Sequence, residues 1–129
     1  MGRSNKLETA MKYSETIRVD VRRFFEDFEC EVEYDMHNNS AQDRAEGLGA
    51  TTLDEGSVTI TNLNELWQEF VDDAVREDYA VEGTGIKAVV TLPEETTNTK
   101  RYPVEQVHFE DFEGYLIESL INRLSDNKW

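Results

Sequence analysis

The side chains in this chain whose type and spacing both point to chemistry are carboxylates. In Glu29-Cys30-Glu31-Val32-Glu33-Tyr34-Asp35-Met36 every odd position is acidic and every even one apolar. A period of two places Glu29, Glu31, Glu33 and Asp35 on one face of a strand, about 7 Å apart at the rise of an extended chain. A second set, Glu65, Glu69, Asp72 and Asp73, falls opposite the apolar face of a helical pattern, and Glu26 and Asp27 stand between the two sets as a junction. Carboxylates repeated in this way, with no base among them, act through electrostatics rather than bond making. They repel one another and attract a cationic surface.

The imbalance is local. From Glu26 to Glu82 there are 17 acids against two bases, Arg44 and Arg76, which carries the whole formal charge of −15; the remainder of the chain is balanced. Direct binding to DNA or RNA is disfavoured, because phosphate contact needs Lys and Arg on the binding surface. Salt adaptation also produces acidic proteins, and five lysines against 28 acids would suit a halophile. Such adaptation should spread the excess over the whole surface, however, so a confined block favours a dedicated binding surface.

Catalysis finds little support. There is no G-x-x-x-x-G-K-[ST], no G-x-G-x-x-G after a strand, no G-x-S-x-G and no H-E-x-x-H. His37 and His108 are the two histidines, and both read as surface residues, His108 despite Glu110 and Asp111 beside it. Glu82 and Lys87 lack a spacing that would make a nuclease-like site, and with 28 acids some carboxylates will always pair. The single cysteine, Cys30, sits among apolar alternates of the strand and reads as a small core residue. The expectation is a protein without enzymatic activity, metal or cofactor.

The elements that must position these acids follow from periodicity. Ile17, Val21, Phe24 and Phe28 recur at i, i+4, i+7 and i+11, which predicts an N-terminal helix from Ser14, extended backwards by Leu7 and Met11. Val19 alternates with Ile17 and Val21, so a strand competes over the first part. The acidic strand follows, then a long loop over 37–56. Ser57–Thr61 reads as a short strand, and Asn62 with Glu65 as a capping box opening a helix. That helix presents Leu63, Leu66, Trp67, Phe70, Val71 and Ala74, with Arg76 placed to pair with Asp72. Gly83-Thr84-Gly85 is a turn. Ile86–Leu92 and Val104–Phe109 read as a hairpin, and Asp111 caps a last helix carrying Phe112, Tyr115, Leu116, Leu120 and Leu124.

The predicted fold class is α+β: an N-terminal helix followed by two strand-strand-helix units, an antiparallel sheet with helices packed on it, in one domain over 14–129 after a frayed segment 1–13. The two units share an apolar-polar pattern into the helix, which is either a duplication or the generic transition from strand to helix.

The function expected from these residues is that of a small acidic binding protein that mimics nucleic acid. It would occupy the basic groove of a DNA- or RNA-binding protein such as a nuclease or restriction enzyme, without binding nucleic acid or membrane itself. The residues carrying it are Glu26, Asp27, Glu29, Glu31, Glu33, Asp35, Glu65, Glu69, Asp72 and Asp73. A viral or mobile-element origin and a cytoplasmic setting, in its own or a host cell, go with that reading. The alternatives are a salt-adapted domain or an oligomeric structural protein, such as a virion assembly component, using loop 37–56, Phe24 or Phe25, and Trp129 for subunit contacts.

Overall fold

The computed structural model describes residues 10–21, 23–24, 26–38, 51–98 and 100–126. Two three-stranded antiparallel sheets and a small ribbon are joined by two helices. The first sheet is a meander of β1 (Ala10–Asp20), β2 (Asp27–Asn38) and β3 (Thr51–Ile60), with β2 in the middle. Helix α1 (Leu63–Arg76) follows, then β4 (Ala80–Glu82), a 3-10 turn at Gly85–Lys87 and β5 (Val89–Leu92). A ribbon of β6 (Glu95–Thr96) and β7 (Arg101–Tyr102) leads to β8 (Glu105–Val107), which closes the second sheet in the order β4-β5-β8, and α2 (Phe109–Asp126) ends it.

The α+β class stands, but its predicted layout does not. The N-terminal helix is strand β1, and neither strand-strand-helix unit forms: three strands of 11, 12 and 10 residues precede α1, and five short ones, β4 to β8, precede α2, three of them in one sheet. The residues of the supposed helical stripe, Ile17, Val21, Phe24 and Phe28, are all buried, but from a strand, a reversal and the next strand. Ile17 and Val19 share one face of β1 and lie opposite Cys30 and Phe28 of β2, and Val21 follows just past the end of the strand. Their β-branched side chains suit a pleated surface better than a helix. The chain turns after Val21, whose carbonyl accepts the Phe24 N–H at 2.9 Å.

Of the predicted loop 37–56, His37 and Asn38 close β2 and residues 51–56 open β3, while 39–50 lie outside the described residues. Residues 10–13 of the supposed frayed segment belong to β1; Leu7 is not among the described residues. Strand β4 had no signal because three residues carry no period, and the 3-10 turn takes the first residues of the strand predicted from Ile86. The hairpin itself forms, with Val90 opposite Val107.

One core lies between these elements. The predicted face of α1 is buried throughout; Phe112 of α2 meets it at Trp67 and Phe70, and Leu116, Leu120 and Leu124 are buried in the same core. Phe24, Phe28, Trp67, Phe70 and Phe112 form its aromatic centre: Phe70 stacks on Phe112 at 5.1 Å between centroids, and Phe28 meets Phe112 edge-on at 5.2 Å. Each such ring contributes about 1.5–3 kcal/mol by leaving water. The Trp67 indole donates to the Gly85 carbonyl at 2.8 Å, so its one polar atom is satisfied. That contact depends on the turn, where Gly83 at φ +83° and Gly85 at φ +60° take conformations other residues resist.

Candidate functional site

Strand β2 alternates as its pattern requires. Cys30, Val32 and Tyr34 are buried, whereas Asp27, Glu29 and Glu31 are exposed and Glu33 and Asp35 half-buried. Burial pushes the Cys30 thiol up to about 11, which keeps it protonated and unreactive. Because β2 is the middle strand, its carboxylates have neighbours on both sides, and the register decides which. Arg18 of β1 lies opposite Glu29 and pairs with it at 2.9 Å, and reaches Asp27 at 3.7 Å. Lys12 stands 3.9 Å from Glu33. Among the described residues Glu31 and Asp35 have no basic partner.

The expected row is therefore partly neutralised. The strand register of β1 brings Arg18 and Lys12 across to β2.

Between Glu33 and Asp35 the β2–β3 register shifts, because β3 carries extra residues there. Ser57 fills the irregularity: its hydroxyl accepts the Asp35 N–H at 2.7 Å and donates to the Asp54 carbonyl at 2.6 Å. His37 lies 3.6 Å from Asp54.

The start of α1 is fixed to the same strand. Asn62 forms no side-chain cap, so the predicted capping box with Glu65 is absent. Its amide instead accepts the Glu31 N–H and donates to the Glu29 carbonyl, both at 3.0 Å. The first turn of the helix is thereby held against the middle of the acidic strand. Glu65, Glu69 and Asp72 are exposed on α1 without a basic partner among the described residues, and Gln68 donates to Asp72 at 2.9 Å. Arg76 pairs with Asp73, three residues back, rather than with Asp72 as the sequence suggested.

Glu26 joins the two sets. One oxygen of each of Glu26, Glu69 and Asp73 lies within 4.8 Å of the others. Glu26 Oε2 is shut off from solvent and finds no hydrogen-bond donor. Burial raises its pKa to about 7, aided by the charge of Glu69 and by a hydrogen bond that Glu26 can donate to Glu69 once protonated; Arg76 opposes the shift. Three carboxylates suit a hard cation such as Ca²⁺, which takes six or more oxygens, but Arg76 already engages one of the three.

His108 is exposed at the N-terminal end of α2, where Asp111 accepts its backbone N–H at 3.0 Å and approaches its ring at 3.2 Å. Asp111 is thus a first-turn residue reaching back to the helix start, not the cap residue that the sequence predicts. Glu82 and Lys87 lie on β4 and the 3-10 turn, both exposed. Phe24, considered for subunit contacts, is a core residue; Phe25 and Trp129 fall outside the described residues.

Arg23 stands apart from the acidic rows and serves the fold. Its side chain is only 9% exposed. It donates to the carbonyls of Pro93 at 3.0 Å and Pro103 at 2.8 Å, lies 3.5 and 3.6 Å from Glu95 and Glu105, and sits over the Tyr102 ring. No local signal could have found it, because its partners lie 70 or more residues away in sequence. Among the described residues no helix is long and apolar enough to cross a membrane. Compared with known proteins, the chain matches no family model, no curated protein and no solved structure.

Proposed function

We propose that this chain is a non-enzymatic binding protein whose acidic surface occupies the basic, nucleic-acid-binding face of another protein and so blocks it. The observation that carries the reading is charge left without compensation. Glu31 and Asp35 on the sheet and Glu65, Glu69 and Asp72 on α1 have no basic partner among the described residues, and α1 starts against Glu29 and Glu31. The net charge of −15 adds a long-range field that speeds encounter with a cationic partner, on a host or native cytoplasmic enzyme that handles DNA or RNA. Arg18 and Lys12 temper the ends of the strand row, which concentrates the effective surface around Glu31 and the helix.

The test is binding to a panel of purified basic nucleases and restriction enzymes, followed across salt. The expected complex weakens steeply as salt rises and is displaced by duplex DNA or by RNA. The Glu31→Lys/Glu33→Lys/Asp35→Lys variant should fold and lose the complex. Binding that ignores salt and nucleic acid, or that survives this triple change, would remove the basis for the proposal.

A further inference from the structure

We propose that β1 is a self-pairing edge: a second copy of this chain lays its own β1 antiparallel against it, about a two-fold axis at Thr16, merging the two three-stranded sheets into one. Strand β1 is 11 residues long and an outer strand of its sheet. In an antiparallel pair, residues that exchange hydrogen bonds alternate with residues whose N–H and C=O point away. On β2 the residues turned away from β1 are identified by their bonds. Asn62 holds the Glu29 carbonyl and the Glu31 N–H, Thr61 donates to the Glu31 carbonyl, and the Asp35 N–H goes to Ser57.

Their opposite numbers on β1 are Arg18, Thr16, Ser14 and Lys12. These must turn their backbone groups to the open side. Arg123 of α2 agrees, donating to the Arg18 carbonyl from that side at 2.7 Å. Among the described residues it is the single partner this edge has. Residues Lys12 to Thr16 are exposed on both faces of the strand. Natural edges are blunted by charged side chains, a bulge, a proline or a covering element, and β1 has the charges and the Arg123 contact alone. The register of β1 with β2 is unbroken from Ala10 to Asp20, and the strand holds no proline.

Charge along the strand selects a copy of itself as the occupant. With the axis at Thr16, Lys12 of each copy faces Asp20 of the other, and Ser14 faces Arg18. Moving the axis to Glu15 sets Lys12 against Arg18, and moving it to Ile17 leaves Lys12 with no acid opposite. On the other face the favoured register sets Tyr13, 40% exposed and stacked on Tyr34, across from Val19, which is already buried in its own core, so the gain there is the covering of Tyr13. The Ser14 N–H of the arriving strand takes over the Arg18 carbonyl, and Arg123 lets go.

Each copy carries −15, so whole molecules repel, while Lys12 to Asp20 is locally neutral, with Lys12 and Arg18 against Glu15 and Asp20. Salt screens the long-range repulsion, so this association strengthens with salt, opposite to a complex with a basic partner.

Sedimentation equilibrium from about 1 μM to about 1 mM, at roughly 0.1 M and 1 M salt, tests the pairing. A dimer of the 14.9 kDa chain is expected at the upper concentrations, favoured by the higher salt. Monomer throughout overturns the proposal. Thr16→Pro removes the N–H at the axis and should leave a folded monomer by circular dichroism. Should that variant not fold, Asp20→Lys is expected to weaken the dimer about tenfold by placing two lysine pairs face to face. Adding Lys12→Asp to it should restore the affinity. A dimer indifferent to Asp20→Lys, or one the double change does not rescue, lies elsewhere on the surface and overturns it equally.

Discussion

The guanidinium of Arg23 donates to the carbonyl of Pro103 at 2.8 Å, tying the reversal between β1 and β2 to the chain that leaves the β6–β7 ribbon. A second bond to Pro93 holds the other side of the ribbon, so one largely covered cation fastens both of its ends. Glu95 and Glu105 balance the charge, and the face of Tyr102 covers it.

Arg23→Ala should therefore cost about 2–4 kcal/mol, since it leaves two carbonyls and a half-buried Glu105 without their donor. The value sits below that of a fully buried pair because Glu95 is 56% exposed. Arg23→Lys should recover only part: both carbonyls accept from the single nitrogen Nη2, which an ammonium can replace, but Nη1 and Nε, which face Glu95 and Glu105, would be lost. Urea midpoints measure the loss, and hydrogen exchange should place the added opening in residues 93–103. A uniform rise in exchange across the molecule would mean that Arg23 is no fastening of the ribbon.

Glu26 makes stability depend on pH. Its pKa is raised from 4.5 to about 7 by burial and by Glu69, with Asp73 near and Arg76 opposing from the same helix. Between those values the folded chain holds more protons than the unfolded one, so its contribution is full below about pH 4.5 and lost as pH rises through about 7. Glu26→Gln should flatten that slope and make the protein about 1–2 kcal/mol more stable at pH 8 than the parent, a figure reduced for the solvent that still reaches the group. Parallel unfolding curves for the two proteins at pH 5 and pH 8 would refute the assignment.

Two exchanges, one to glycine and one from it, should each stabilise the fold. Asp78 closes α1 at φ 65°, with its N–H on the Val75 carbonyl and the Tyr79 N–H on the Ala74 carbonyl, the arrangement in which glycine is usually found. An acid there also faces the negative end of the helix. Gly114 lies inside α2, exposed, where an added Cβ meets nothing within 4 Å. Asp78→Gly and Gly114→Ala are each expected to add about 0.5–1 kcal/mol, and their effects should sum because the sites are independent. Thermal unfolding at fixed pH checks both.

How much was legible follows from which residues carried an undivided period. Strand β2 and helix α1 did: Cys30, Val32 and Tyr34, and Leu63 through Ala74, are buried as their spacing demands. Strand β1 did not, because Ile17 and Val21 satisfy a helical step and an alternation equally, and only pairing with β2 separates the two. Glu26 looked like one more surface acid, since burial is a tertiary property. Arg18 could be suspected of offsetting acids, but which acids it meets, Glu29 and Asp27, rests on the register of β1.

Arg18 supplies the sharpest test of the binding surface. It stands on the outer face of the first sheet, 63% exposed, and offsets both Glu29 and Asp27. An exposed pair of this sort contributes little to folding, so Arg18→Ser should leave stability within about 1 kcal/mol of the parent. Its effect on a cationic partner should be larger in proportion. One positive charge leaves the acidic row, and a unit charge at about 4 Å in water amounts to roughly 1 kcal/mol, or about a fivefold gain in affinity at low salt. The gain should appear mainly in the association rate and shrink as salt is added. Surface plasmon resonance against the partner at two ionic strengths reads it directly. If Arg18→Ser binds no faster than the parent, the partner does not sense the charge of this face, and the contact must be sought on α1 alone.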